Sequence, residues 1–140
     1  IDELNILPLI CYEVIFTDII QKSNTNTNLI INISEDGWFG NSIGPDQHFA
    51  KSIFRAVENG RLVIQVSNIG ISGIVSPEGH IVASSELNKK AFIKHHFSPY
   101  KKDTLFVLFG HWIIYVSILV LVAYIVLKKQ LIYSKLIKKK

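Results

Sequence analysis

Cys11 is the only cysteine in a chain of 140 residues. It closes the apolar run Ile6-Leu7-Pro8-Leu9-Ile10 and precedes Tyr12-Glu13. A thiol placed where a strand stops and a helix starts is held at a fixed, exposed corner. Amide groups that open a helix favour negative charge, and the thiolate is the reactive form of a thiol. The chemistry on offer is nucleophilic attack on an acyl carbonyl. The alternative is a small buried hydrophobe, since a single cysteine forms no internal disulfide. Glu13 is either a carboxylate supporting the thiol or an electrostatic cap of the turn. Trp38 and Phe39 lie between Gly37 and Gly40, where an aromatic pair serves as a lid, a lipid contact or a plain loop anchor.

These side chains need elements to hold them. Residues 6–10 read as a buried strand whose Pro8 removes a ladder donor, so an edge or a bulge is expected there. Residues 12–22 read as a helix with Val14, Ile15 and Ile19 on one side. The polar run Ser23-Asn24-Thr25-Asn26-Thr27-Asn28 is a loop. Residues 29–33 form a second strand, 34–45 a glycine-rich loop, 46–59 a helix ended by Gly60, and 62–66 a third strand. Residues 71–75 and 80–84 flank Ser76-Pro77-Glu78-Gly79 as a hairpin, and 91–96 read as a last strand. This alternation gives an α/β domain.

Other polar residues read as structural. His48 is a packing or hydrogen-bonding residue. Arg55, Glu58 and Arg61, spaced by three, make a surface ion-pair set by default. His95 and His96 would face opposite sides of a strand and make a poor metal pair, so no metal is expected. Gly70 and Gly73 serve backbone turns.

The formal net charge of +4 is unevenly spread: residues 1–127 carry nine Lys/Arg against eleven Asp/Glu, and the last thirteen residues carry six Lys and no acid. The basic character is a tail, and no nucleic-acid partner is expected. That tail follows residues 105–127, which hold no Asp, Glu, Lys or Arg. Such a stretch reaches roughly 34 Å as a helix, enough to cross a hydrocarbon core of about 30 Å. Trp112 and Tyr115 suit one interface, and Lys128, Lys129 and Tyr133 the other. The lysines beyond the span place the tail in the cytoplasm and residues 1–104 outside. The expected organisation is a domain over 1–104, a transmembrane helix over 105–129 and a basic tail over 130–140. The chain has no Met, and we expect it to be a C-terminal fragment or a truncated product.

Five stretches, in order, carry a family resemblance: Ile10-Cys11-Tyr12-Glu13, Asn32-Ile33-Ser34-Glu35-Asp36-Gly37-Trp38-Phe39-Gly40, Ser42-Ile43-Gly44-Pro45-Asp46-Gln47-His48, Arg55-Ala56-Val57-Glu58-Asn59-Gly60-Arg61 and Asn68-Ile69-Gly70-Ile71-Ser72. Together they resemble the nitrilase (carbon–nitrogen hydrolase) superfamily, and in particular its integral membrane branch, the apolipoprotein N-acyltransferases. The resemblance implies the C-terminal part of a nitrilase-type α-β-β-α sandwich followed by one transmembrane helix. It implies Cys11 as nucleophile, Glu13 as a supporting carboxylate, and Tyr12, Trp38 and Phe39 against the substrate. It also implies Arg55, Glu58 and Arg61 as a brace behind the cysteine. The family's base Glu and catalytic Lys match no residue of this chain; Glu3 and Lys22 stand outside the motif positions. Two positions depart from the acyltransferase pattern: Glu35 stands where Asn is common and Gly37 where Ala is common.

The function so implied is transfer of a fatty acyl group through a Cys thioester, without a cofactor. The donor is a membrane phospholipid and the acceptor the N-terminal amine of a diacylglyceryl-cysteine lipoprotein. The setting is the bacterial inner membrane, with the catalytic part periplasmic and a complementary N-terminal segment as partner. Two alternatives stay open: a nitrilase-type amidase sending water to the same thioester, and an inactive remnant lacking the Glu and Lys.

Overall fold

The computed structural model describes residues 4–23, 26–98 and 102–137, including all their side chains except those of 22, 23 and 131–137. Residues 24 and 25 of the expected polar loop, Lys101, and Lys138, Lys139 and Lys140 of the basic tail lie outside the described residues, as do the side chains of Tyr133 and Lys135. Two compact units divide at residues 108 and 109.

The first unit is built on a five-stranded sheet in the order β1 (Ile6–Ile10), β2 (Leu29–Ser34), β3 (Leu62–Ser67), β4 (Gly73–Val75), β5 (Ile81–Ser84). The first three strands are parallel, and β4 and β5 return antiparallel. Short runs of Ile, Leu and Val between turn formers make the parallel strands. Pro8 is accommodated because β1 is an edge of this sheet. Between strands run α1 (Thr17–Ser23) and α2 (Gly44–Asn59). Pro45 in the first turn of α2 suits the start of a helix, and Gly60 ends it in the left-handed conformation at φ 61°.

Strand alternation sorts the sheet into two faces. One face carries Leu9, Ile30, Val63 and Val75, which pack with Val14, Ile20, Phe49 and Ala56 into the core under the helices. The other presents Ile10, Ile33 and Val66 side by side in register, 70%, 60% and 47% exposed. The result is one β layer and one α layer of a nitrilase-type α/β fold.

Three expectations change. The helix over 12–22 is interrupted: Cys11–Ile15 is a 3-10 turn, Phe16 is extended, and α1 starts at Thr17. The buried Val14 anchors the turn in the core, and Phe16 donates its N–H to Glu13 O rather than extending a helix. Residues 91–96 form no strand. Phe92, Ile93, His95 and Phe97 instead line a cavity of about 320 Å³ with Ile64, Val66 and Ile74, so the segment lies over strand side chains without extending the ladder.

The third change concerns the charged set. Arg55 and Arg61 are 5% and 0% exposed, not a surface pair. Arg55 pairs with Glu58 at 2.7 Å and reaches Ile15 O at 3.4 Å, tying α2 to the turn after Cys11. Burial pushes the Arg55 guanidinium down from its usual value, and Glu58 opposes that shift. Arg61 donates to the carbonyls of Thr27, Asn59, Gly60 and Lys102 and pairs with Asp103 at 3.0 Å.

The second unit consists mainly of α4 (Trp112–Ile137), preceded across Gly110 (φ 55°) by the short α3 (Leu105–Phe109). Within α4, Trp112–Gln130 is long and apolar enough to cross a membrane, and its side chains are exposed throughout. The helix continues past residue 129 to Ile137.

Candidate active site

Register places the site. Ile10 pairs with Ile33, so Cys11 lies one step past the end of β1, beside Ser34 at the end of β2. Ser34 pairs in turn with Ser67 of β3. Polar residues thus gather at the carboxyl ends of three parallel strands, the usual position of sites in α/β sheets.

Cys11 has φ 52°, one of two non-glycine residues in the left-handed region among those described. Such a conformation costs roughly 1–3 kcal/mol and persists only where the surroundings enforce it. The thiol is half-buried, and its Sγ lies 3.9 Å from Ser34 Oγ. Glu13 turns back on the strand end, its Oε2 accepting the Ile10 N–H at 2.7 Å. The contact resolved for Glu13 is therefore with the corner's backbone, as a cap would make.

Beneath the corner is a buried polar cluster. Ser34 donates to Asp36 Oδ1 at 2.5 Å, and His48 Nδ1 lies 2.8 Å from the same oxygen. The other ring nitrogen, Nε2, is 3.1 Å from the backbone carbonyl of Cys11. Asp36 and His48 are 1% and 2% exposed. Gly70 is what lets Asp36 fit: a Cβ there would stand 2.2 Å from Asp36 Oδ2 and 2.4 Å from Ser67 Oγ. Nothing in the sequence marks Asp36, and a lone histidine such as His48 suggests only a structural part. The Asp36-x11-His48 spacing has no periodicity to betray it, because a loop and the first turns of α2 bring the two together.

Above the corner the three aromatic residues meet. Tyr12 stacks on the His48 ring at 5.3 Å between centroids and lies 6.1 Å from Phe39. Phe39 is 6.5 Å from Trp38. Together Tyr12, Trp38 and Phe39 line an open apolar cavity of about 350 Å³, with Trp38 77% exposed. The loop is stapled by Glu35, whose carboxylate accepts from the Gly37 N–H at 2.7 Å and from Asn68 at 2.5 Å.

A thiol on a constrained strand-end turn, next in sequence to the Tyr12 wall of an apolar cavity and tied to a buried polar cluster, defines an α/β protein whose candidate site is built round a cysteine. The family is equally plain: the carbon–nitrogen hydrolase model matches residues 2–98, and the chain belongs to that family. It is 43% identical over 136 residues to apolipoprotein N-acyltransferase of Rickettsia bellii, covering 96% of this chain and 26% of that protein. The protein of the same name from Rickettsia typhi is 48% identical over 111 residues (78% and 22%), and that from Wigglesworthia glossinidia brevipalpis 36% over 135 residues (95% and 27%). The chain thus spans about a quarter of the length of these relatives. Among solved structures, an amidase from Nesterenkonia sp. aligns at a TM-score of 0.46 and 19% identity, over 59% of this chain and 34% of the amidase.

Proposed function

We propose that this chain carries the nucleophile part of a membrane N-acyltransferase site. Cys11 takes a fatty acyl group from a phospholipid and passes it to the N-terminal amine of a diacylglyceryl-cysteine lipoprotein. The thiolate attacks the ester carbonyl; the C–S bond forms, the ester C–O bond breaks, and the lysophospholipid leaves with a proton. The amine then attacks the thioester, the C–N bond forms, and the sulfur departs and regains its proton. The resemblance implies that a Glu moves these protons and a Lys holds the oxyanion. Neither matches a residue of this chain, so turnover is assigned to the chain together with a segment that supplies them.

One observation carries the reading: the thiol stands at a strained corner directly before Tyr12, which lines an apolar cavity with Trp38 and Phe39. An acyl chain suits such a lining, and a small polar amide has no need of it. Glu13 supports catalysis by holding the corner through Ile10 N–H. The names of the relatives favour the same reaction. Helix α4 spans the bacterial inner membrane with Lys128 and Lys129 on the cytoplasmic side, which sets residues 1–104 at the periplasmic surface beside both lipid substrates.

The test is acyl labelling in vesicles whose phospholipid carries a radiolabelled acyl chain. With a complementary N-terminal segment supplied, label is expected on Cys11 and then on a diacylated acceptor peptide. The chain by itself should transfer nothing. Undiminished transfer by Cys11→Ala would remove the thioester from the reaction. Release of the label to water in place of the peptide would point to the amidase-type alternative.

A further inference from the structure

The hydrogen bonds beneath the corner close a ring. From Cys11 Sγ the path runs to Ser34 Oγ, to Asp36 Oδ1, through the His48 imidazole, and back to the carbonyl of Cys11 itself. We infer that Asp36 and His48 are positioning residues for the nucleophile: they hold the Cys11 peptide in its left-handed conformation and so fix where the thiol stands. The inference rests on Cys11 being the reacting group, as proposed above.

Three observations carry it. The first is that Cys11 adopts a conformation an L-residue rarely takes unaided, so something must hold it. The second is the direction of the His48 bond. A carbonyl oxygen only accepts, so the hydrogen on Nε2 points at Cys11 O, and Nδ1 shares a hydrogen with Asp36 Oδ1. Asp36 thereby fixes the orientation of the ring, as an oriented carboxylate does for an imidazole elsewhere in catalysis. The third is burial: both side chains are shielded from water, which would otherwise compete for these bonds. The stacking of Tyr12 on His48 adds a link, since the ring that grips the Cys11 carbonyl also packs on one wall of the aromatic cavity. Released from His48, the Cys11 peptide would relax toward negative φ and swing the sulfur off its place beside Ser34.

Two measurements test this on the detergent-solubilised full chain. In protein carrying 15N in its histidine rings, with His48→Gln used to assign the signal, His48 should show a hydrogen on Nε2; a bare Nε2 overturns the proposal. The second is the rate at which iodoacetamide alkylates Cys11, the only thiol. His48→Phe keeps a flat ring against Tyr12 but loses both hydrogen bonds, and should slow alkylation by about tenfold, since misplacing a reacting group by an ångström carries costs of this order or more. Asp36→Asn keeps the shape and can donate to Nδ1, so it should stay within about threefold of the parent. Wild-type rates in folded His48→Phe refute the assignment. If His48→Phe does not fold, the Nε2 signal in the parent and in Asp36→Asn decides the matter. Alkylation needs no phospholipid, so a failure of acyl transfer leaves this result standing, and the reverse also holds.

Discussion

At the scale of single residues, Arg61 shows how a charge can serve the fold from inside it. Its guanidinium is fully buried and meets four backbone carbonyls from three separate stretches, with Asp103 completing the set. Five donors in a flat fork can serve such a cage; an ammonium has three donors and a different shape. Arg61→Lys should therefore lose at least two of these five bonds. At about 1.5–3 kcal/mol for each hydrogen bond to a charged group, a total loss of about 3 kcal/mol is expected. Denaturant unfolding of the two forms, followed by Trp fluorescence, checks it. Equal midpoints would show that water replaces the fork. The residue type and its helical spacing suggested a surface ion pair, because nothing in a sequence reports which carbonyls the fold leaves over. Cys11, Tyr12, Trp38 and Phe39 stand out in the sequence for the opposite reason, that their chemistry is unusual where they stand; the structure brings the three aromatic residues together beside the turn that starts at Cys11.

At the scale of elements, the loop between β2 and α2 explains the two positions that depart from the acyltransferase pattern. Glu35 is longer than Asn by one methylene, and its carboxylate folds back to accept the Gly37 N–H and reach Asn68. The space it takes is that of a methyl group on residue 37, whose Cβ would stand 2.6 Å from Glu35 Oε1 and 2.9 Å from Ile69 Cδ1. The two departures are therefore one: Glu35 needs Gly37. Gly37→Ala alone should destabilise by about 1–3 kcal/mol through overpacking, whereas Gly37→Ala with Glu35→Asn should regain much of that loss. A double-mutant cycle in thermal unfolding is expected to give a coupling of roughly 0.5–3 kcal/mol. Simple additivity would mean that Ile69, not Glu35, sets the limit. Strands β1, β2 and β3 and helix α2 were legible because short apolar runs and a Pro-to-Gly helix frame act locally. The segment over 91–96 was not. Alternation announces an extended chain but not a partner, and here the segment borders a cavity beside Ile64, Val66 and Ile74 without forming a ladder. The break at Phe16 was hidden as well, since it depends on Val14 reaching the core.

At the scale of the whole molecule, two apolar surfaces stand open among the described residues. One is the sheet face at Ile10 and Ile33, and the other is the girth of α4 over residues 112–130. A nitrilase-type sandwich covers the first with a second sheet, which agrees with a chain that matches about a quarter of each relative. The second calls for lipid, and its energetics make a graded prediction. Between residues 112 and 127 there are eleven Ile, Leu and Val, worth together about −5 kcal/mol on an insertion scale of roughly −0.3 to −0.6 each. One central Lys costs about 2.5–3.5 kcal/mol and leaves insertion favourable. Two should tip the balance to the unfavourable side. Leu119→Lys is therefore expected to stay with membranes washed in alkaline carbonate, and the double variant Leu119→Lys/Val122→Lys to be released. The paired control, Leu119→Ala/Val122→Ala, should remain. Retention of the double Lys variant at the parent's level would mean that α4 does not cross the bilayer by itself, and the periplasmic placement of Cys11 would fall with it.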